Sequence, residues 1–243
     1  MDLIFNEDCL EGMNRIESKS IDMILCDLPY GVTKNSWDVP LNLDILWSHY
    51  SRVIKDNGAI VLFSQQPFTS TLVLSNPELF RYELIWKKSK STGFLNAKKC
   101  PLREHENILI FYKKLPTYNP QLYNKDPKNI MAKKISAQSP CYGKFNNISL
   151  RGIPIELGYP RSIIEISSTQ GSHPTEKPIS LCEYLINTYS NKDELILDNC
   201  MGSGSTALAC LKTGRKFIGF ELNKKYYDIS LERIKNCKES IPI

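Results

Sequence analysis

The chain has little with which to hold a metal and nothing with which to cross a membrane. Only three histidines, His49, His105 and His173, occur in 243 residues, far apart in sequence. The eight cysteines, at 9, 26, 100, 141, 182, 200, 210 and 237, form no C-x-x-C pair, and several lie inside apolar strand or helix patterns. That scatter argues against zinc and for reduced, buried thiols. No apolar run approaches the roughly 18 residues of a membrane span, and the start, Met1 to Asp8, has no basic signal-peptide opening. A soluble cytoplasmic protein without metal or membrane contact is the expectation. Internal repeats and low-complexity tracts are also missing, which sets aside solenoids and fibrous chains.

The length of 243 residues suits one large domain, or one domain with an insertion, and can bury a real core. Net charge is +5, but its distribution is uneven. Residues 86–161 carry 15 Lys/Arg and 4 Asp/Glu, a net of +11, while the remainder carries 16 basic and 22 acidic residues, a net of −6. One strongly basic segment on a mildly acidic body suggests a polyanion-binding insert; a solvated lysine-rich face is the plainer alternative.

Hydrophobic periodicity predicts strands at Ile21–Cys26, Ala59–Phe63, Tyr82–Trp86, Asn107–Tyr112, Leu195–Leu197 and Phe217–Phe220. Helical spacing joins Leu43, Leu46, Trp47, Tyr50, Val53 and Ile54, with Gly58 placed as a C-cap. Further helices are expected at Pro67–Leu74, Ile179–Tyr189, Ser205–Lys212 with Gly214 as cap, and Lys225–Cys237. From Lys113 to Pro160 no period survives, and a loop-rich insert is expected there. The alternation of strands and helices predicts an α/β fold with a doubly wound, mainly parallel sheet.

Two runs that follow predicted strands carry the chemistry. Asp198-Asn199-Cys200-Met201-Gly202-Ser203-Gly204-Ser205-Thr206 includes Gly202-x-Gly204-x-x-Ala207 between a strand and a helix. Glycines there let the backbone approach a ligand, and the helix N-terminus offers N–H groups to an anion. Glu221 ends the next strand, where a carboxylate can accept both hydroxyls of a ribose. A nicotinamide dehydrogenase would show almost the same pattern, and so would a glycine-rich turn without ligand. However, only about 40 residues follow the loop, too few to complete a dinucleotide-binding sheet, so the missing strands must come from earlier in the chain. The second run is Asp27-Leu28-Pro29-Tyr30. Pro29 forces residue 28 into an extended conformation and so fixes the direction of its carbonyl. Read alone, the run is equally a strand end followed by a turn with a core tyrosine.

In chain order, Asp27 before Asp198, the two runs resemble those of DNA amino-methyltransferases of the permuted β group, in which the catalytic motif precedes the cofactor loop. The Asp27 run resembles their D-P-P-Y motif with Leu28 in place of a proline; the Asp198 run resembles the S-adenosylmethionine loop of class I methyltransferases. The resemblance implies a circularly permuted Rossmann-like methyltransferase fold. Its catalytic half would be 1–113, its target-recognition insert 114–160 and its cofactor half 161–243. It implies S-adenosylmethionine as methyl donor, held by Asp8, Cys9, Asp27, Thr175, Lys177, the run Asp198–Thr206, Glu221 and Asn223. Asn6-Glu7-Asp8-Cys9-Leu10 resembles the family's G-D-C/A-L run, in which Asp8 would accept from the adenine amine and Cys9 offer its N–H; Asp8 as a plain N-cap is the alternative. His173-Pro174-Thr175-Glu176-Lys177-Pro178 resembles the H-P-x-x-K-P segment, with Thr175 and Lys177 reaching the donor's carboxylate, unless the prolines merely start a helix.

Under the same resemblance Asp27 and the Leu28 carbonyl accept the two N–H bonds of an exocyclic amine and Tyr30 stacks on the extruded base. The first motif residue is Asp, where the family's cytosine-N4 enzymes usually carry Ser, which favours adenine. Gly31-Val32-Thr33 and Asn35-Ser36-Trp37-Asp38 continue the likeness, as does Thr92–Lys99. Lys87, Lys88, Lys98, Lys99, Lys113 and Lys114 are the expected phosphate contacts of double-stranded DNA. A homodimer and a cognate restriction endonuclease are compatible partners. Cytosine-N4 methylation, an RNA or protein-glutamine amine as acceptor, or an inactive cofactor-binding DNA-binding module, is the alternative function.

Overall fold

The computed structural model describes residues 2–31, 39–126, 138–139, 143–144, 156–168 and 176–240. The strands are β1 (Asp2–Phe5), β2 (Ile21–Asp27), β3 (Ile54–Ser64), β4 (Phe80–Thr92), β5 (Arg103–Phe111), β6 (Tyr123–Asn124), β7 (Gln138–Ser139), β8 (Gly143–Lys144), β9 (Leu157–Gly158), β10 (Ile163–Glu165), β11 (Leu195–Asp198) and β12 (Lys216–Phe220). The α-helices are α1 (Cys9–Gly12), α2 (Leu43–Val53), α3 (Phe68–Ser75), α4 (Ile179–Tyr189), α5 (Ser205–Thr213) and α6 (Lys224–Ser240).

One sheet of eight strands runs β1-β12-β11-β2-β3-β5-β4-β10. Its ladders are parallel except those that β5 makes with β3 and β4. The centre reads as a strand covered on both faces should: Ile21, Met23, Ile24, Leu25 and Cys26 of β2 are all wholly buried. Helices supply the two layers. Against one face pack Leu181, Cys182, Leu185, Ile186 and Tyr189 of α4 with Ala207 to Cys210 of α5. Against the other pack Leu46, Trp47, Tyr50 and Val53 of α2 with Phe68 and Leu72 of α3. The α2 face exists because these apolar positions recur at helical spacing, and the Asn42 side chain caps the start by accepting from Ile45 N–H at 3.2 Å.

Gly58 corrects the sequence reading. The helix stops at Val53, and Gly58 lies inside β3. A Cβ there would meet the Asp22 carbonyl at 2.7 Å, beside the shift in β2–β3 register between Ile21 and Met23. The glycine therefore serves a close strand approach and not a helix end. Gly214 does end α5, at φ 72°, with its N–H on the Cys210 and Leu211 carbonyls.

Residues Pro120–Arg161 form a compact unit of their own. Within it β6 and β9 pair antiparallel, Tyr123 opposite Gly158, and the Arg161 guanidinium lies 5.5 Å from the Tyr123 ring centre. Among the described residues no helix is long and apolar enough to cross a membrane, and no His/Cys/Asp/Glu group is arranged to hold a metal.

What places the site is the winding. From β11 the chain passes through α5 to β12 on one side; from β2 it passes through α2 to β3 on the other. Connections leaving neighbouring parallel strands in opposite directions open a crevice at their carboxyl ends. Both runs singled out above begin there, at Asp27 and at Asp198.

Candidate active site

A cavity of about 990 Å³ opens at this switch point, lined from both halves of the chain by Asp8, Cys9, Asp27–Tyr30, Lys177, Asp198–Ser203, Ser205, Thr206, Glu221 and Asn223 among others. The structure thus brings together nearly every residue expected to touch donor or target base. Thr175 and His173 lie outside the described residues, as do Val32, Thr33, Asn35, Ser36, Trp37 and Asp38.

The glycine loop has the geometry of a backbone cradle. Gly202 and Gly204 take φ of 52° and 87°, in the left-handed region that glycine enters without strain. A Cβ on Gly202 would meet nothing within 4 Å, so that face is open to a ligand. The Glu221 carboxylate bridges backbone groups, accepting from Gly202 N–H at 2.8 Å and Asn223 N–H at 2.7 Å. Burial holds its pKa above the ordinary range against those two donors. At the end of β11 burial pushes the Asp198 carboxyl up to about 7, although Thr206 and the Cys200 N–H, 3.2 Å from Oδ1, pull it down. Asn199 is fixed from below by Tyr50, whose hydroxyl donates to Oδ1 at 2.5 Å, and its Nδ2 faces the thiols of Cys9 at 3.6 Å and Cys200 at 3.4 Å. Asp8 is the N-cap of α1, its Oδ1 taking Leu10 N–H at 2.8 Å and Glu11 N–H at 3.3 Å, while the residue also lines the cavity.

The Asp27 run is held from three sides. Tyr30 donates its hydroxyl to Asp27 Oδ1 at 2.6 Å and stacks on Phe68 with ring centres 5.2 Å apart. Burial and the neighbouring Asp27 charge both raise the Tyr30 pKa, so the hydroxyl stays a donor. Leu28 is buried at 3% exposure. Asp27 Oδ2 is ion-paired with Lys177. The Lys177 ammonium, which also lines the cavity, lies 3.3 Å from Glu106 Oε2 and so braces the carboxylate that was expected to act on the target.

The basic residues divide. Lys88 pairs with Glu106, with 13% of its side chain exposed, and lines the cavity. Lys87 pairs with Glu165 on the neighbouring β10. Lys113 and Lys114 stand around Asp56, together with Lys19. Asp56 belongs to the start of β3, and the cavity adjoins its far end, so the sheet separates these two lysines from the site. The three cations hold the Asp56 carboxyl down at about 2. Lys98 and Lys99 are exposed in the β4–β5 connection, whose flanks Lys90, Thr92 and Arg103 line the cavity.

Three contributors escaped the sequence reading. Glu106 stands opposite Trp86 in the β4–β5 ladder and is buried at 9% exposure; an acid at the edge of the apolar run Ile108–Phe111 was its signal. Arg233 of α6 donates to the Ser203 carbonyl and Oγ, both at 2.8 Å, and pairs with Glu176, tying the glycine loop to the segment before α4. Phe68 completes the aromatic wall behind Tyr30. Neither Arg233 nor Phe68 had a local signal, because each acts across the fold.

Such a crevice, with a left-handed glycine loop on one strand and an acid-Leu-Pro-Tyr turn on the next, belongs to a class I, Rossmann-like methyltransferase fold. The model of the N6/N4 DNA methylase family matches residues 21–232, and the chain belongs to that family. Among its relatives is the DNA adenine methyltransferase YhdJ of Escherichia coli (strain K12), 28% identical over 248 residues, spanning 95% of this chain and 82% of the relative. Among solved structures, the M1.HpyAVI–SAM complex matches with a TM-score of 0.63 at 23% identity, over 96% of this chain and all (100%) of that one. The PvuII cytosine-N4-specific DNA methyltransferase matches with a TM-score of 0.67 at 16% identity, over 97% and 90%. At these identities the two structures speak for the fold.

Proposed function

We propose that this chain is a DNA adenine-N6 methyltransferase that takes its methyl group from S-adenosylmethionine. The observation that carries this reading is the position of Asp27, a carboxylate at the end of β2, in one cavity with the glycine loop and beside an aromatic wall. The cavity fits the donor. Glu221 lines it with a carboxylate whose remaining lone pairs suit ribose hydroxyls, Gly202 leaves room for close approach, and the N-terminus of α5 favours the carboxylate of a methionine moiety. Bound there, S-adenosylmethionine supplies an electrophilic methyl on a sulfonium.

The protein's own groups deal with a reluctant nucleophile. An aromatic exocyclic amine has its lone pair delocalised into the ring. Asp27 and the Leu28 carbonyl accept its two N–H bonds and turn the lone pair towards the methyl; such positioning of reacting groups is where much of the barrier is removed. Tyr30, backed by Phe68, stacks on the extruded base and offsets part of the few kcal/mol that flipping costs. On the DNA side, the β4–β5 connection presents Lys98 and Lys99 together with Phe94 and Leu95, which are 81% and 97% exposed.

The test is chemical. The protein is incubated with DNA and methyl-labelled donor, and the DNA is hydrolysed to nucleosides. Label in N6-methyldeoxyadenosine is expected; label in N4-methyldeoxycytidine moves the assignment to cytosine, the base named for the PvuII enzyme. No incorporation from a folded, donor-binding protein makes the chain an inactive binding module.

A further inference from the structure

Four charged side chains close into a chain that the reaction, as described so far, uses only at one end. Asp27 Oδ2 pairs with Lys177; Lys177 Nζ lies 3.3 Å from Glu106 Oε2; Glu106 Oε1 pairs with Lys88. Side-chain exposures are 29% for Asp27, 8% for Lys177, 11% for Glu106 and 13% for Lys88. Both ammonium groups also face aromatic rings, Lys177 at 5.1 Å from Phe63 and Lys88 at 5.4 Å from Trp86. Burying four ions costs several kcal/mol for each, repaid only when charges balance and geometry is good. Here they balance, two negative against two positive. Burial alone would discharge Lys177, but Asp27 and Glu106 outweigh it and keep the ammonium charged. Burial likewise works against Glu106, and Lys177 with Lys88 overcomes it.

Such a neutral group of ions bears on a ligand whose charge changes in the reaction. The donor carries a sulfonium cation and its demethylated product a neutral thioether. In-line transfer to an amine held by Asp27 brings the sulfonium to within a few ångströms of that amine, since reacting atoms stand about 3–3.5 Å apart. The balance of the four groups therefore weighs donor against product.

Building on the methyltransferase reading above, we propose that Glu106 is a positioning residue for methyl transfer: it holds Lys177 on Asp27 and, against Lys88, keeps the cluster neutral towards the sulfonium. Removing the Glu106 charge leaves a net positive cluster, which disfavours the cationic donor but not the neutral product. Removing the Lys88 charge does the reverse. Glu106 and Lys88 stand behind Lys177 and Asp27, and a unit charge about 12 Å away, at an effective dielectric near 20, is worth roughly tenfold in affinity.

The experiment is a calorimetric titration of the full chain with S-adenosylmethionine and, separately, with S-adenosylhomocysteine. Wild type is compared with Glu106→Gln, Lys88→Gln and the double variant. Glu106→Gln is expected to lower the donor-to-product affinity ratio roughly tenfold, Lys88→Gln to raise it by a similar factor, and the double variant to return it to the wild-type value. A residue that only supports the fold changes both affinities by one factor and leaves the ratio alone. An unchanged ratio in the single variants, or a double variant that does not restore it, overturns the proposal. If Glu106→Gln fails to fold, Lys88→Gln and the double variant decide. Failure of the wild type to bind either ligand would instead overturn the methyltransferase reading on which this rests.

Discussion

Asp198→Asn is the substitution whose effect the structure lets one work out most fully. The native carboxyl is raised from 3.8 to about 7, first by burial. A raised acid binds its proton more tightly folded than unfolded, so stability is greatest below the unfolded pKa and falls as pH rises towards the folded one. The window runs from about pH 4 to about pH 7. At 1.36 kcal/mol per pKa unit, the ceiling on the loss is about 4 kcal/mol. Because Asp198 lines the cavity, water relaxes part of this, and about 2 kcal/mol is the expected value. Asparagine keeps an acceptor for the Cys200 N–H and does not titrate. Melting curves of both proteins, without ligand, should therefore converge near pH 4, while near pH 8 the variant should melt higher by roughly 4–8 °C for a chain of this size. A melting difference that stays flat from pH 4 to pH 8 would refute the assignment of a proton to Asp198.

The remaining predictions concern the reaction and its surface. Asp27→Asn should retain the bond from Tyr30 yet reduce turnover by at least about a hundredfold, measured as label transferred to DNA, with donor affinity altered far less; near-normal turnover would remove Asp27 from the chemistry. Glu221→Gln should reduce the rise in melting temperature that S-adenosylmethionine produces, by an amount equivalent to about 1–2 kcal/mol at saturating donor, and an undiminished shift would place the ribose elsewhere. Replacing Lys98 and Lys99 with glutamine should flatten the salt dependence of DNA binding by up to about one unit of log–log slope per lysine that meets a phosphate. The same change at Lys113 and Lys114, gathered around Asp56, should leave that slope alone.

Periodicity made the framework legible. The predicted helix Ile179–Tyr189 coincides with α4, and the strands at Ile21, Leu195 and Phe217 differ from β2, β11 and β12 by one residue each. These segments are apolar enough to be buried wherever the chain takes them, so local pattern and final environment agree. Gly58 misled because a glycine after an amphipathic run has two physical uses, and only the neighbour strand, unseen in sequence, selects between them. The site was legible where one short run supplies both backbone and side chain, as in Asp27–Tyr30. It was not legible where a side chain works through a distant partner. Lys177 and Asp27 are 150 positions apart, and Lys88 reads as a surface lysine until the neighbouring strand brings Glu106 within reach of its ammonium.

The interleaved sheet makes the two halves of the chain complementary pieces. β2 carries the Asp27 turn but is flanked by β3 from its own half and β11 from the other; β1 has only β12 beside it. A chain severed within Pro120–Arg161 leaves one fragment with the Asp27 turn and another with the glycine loop, each exposing a strand edge that fits the other. Neither fragment alone holds the full lining of the cavity. The full lining is restored only where both fragments meet, so the cavity itself would report their encounter.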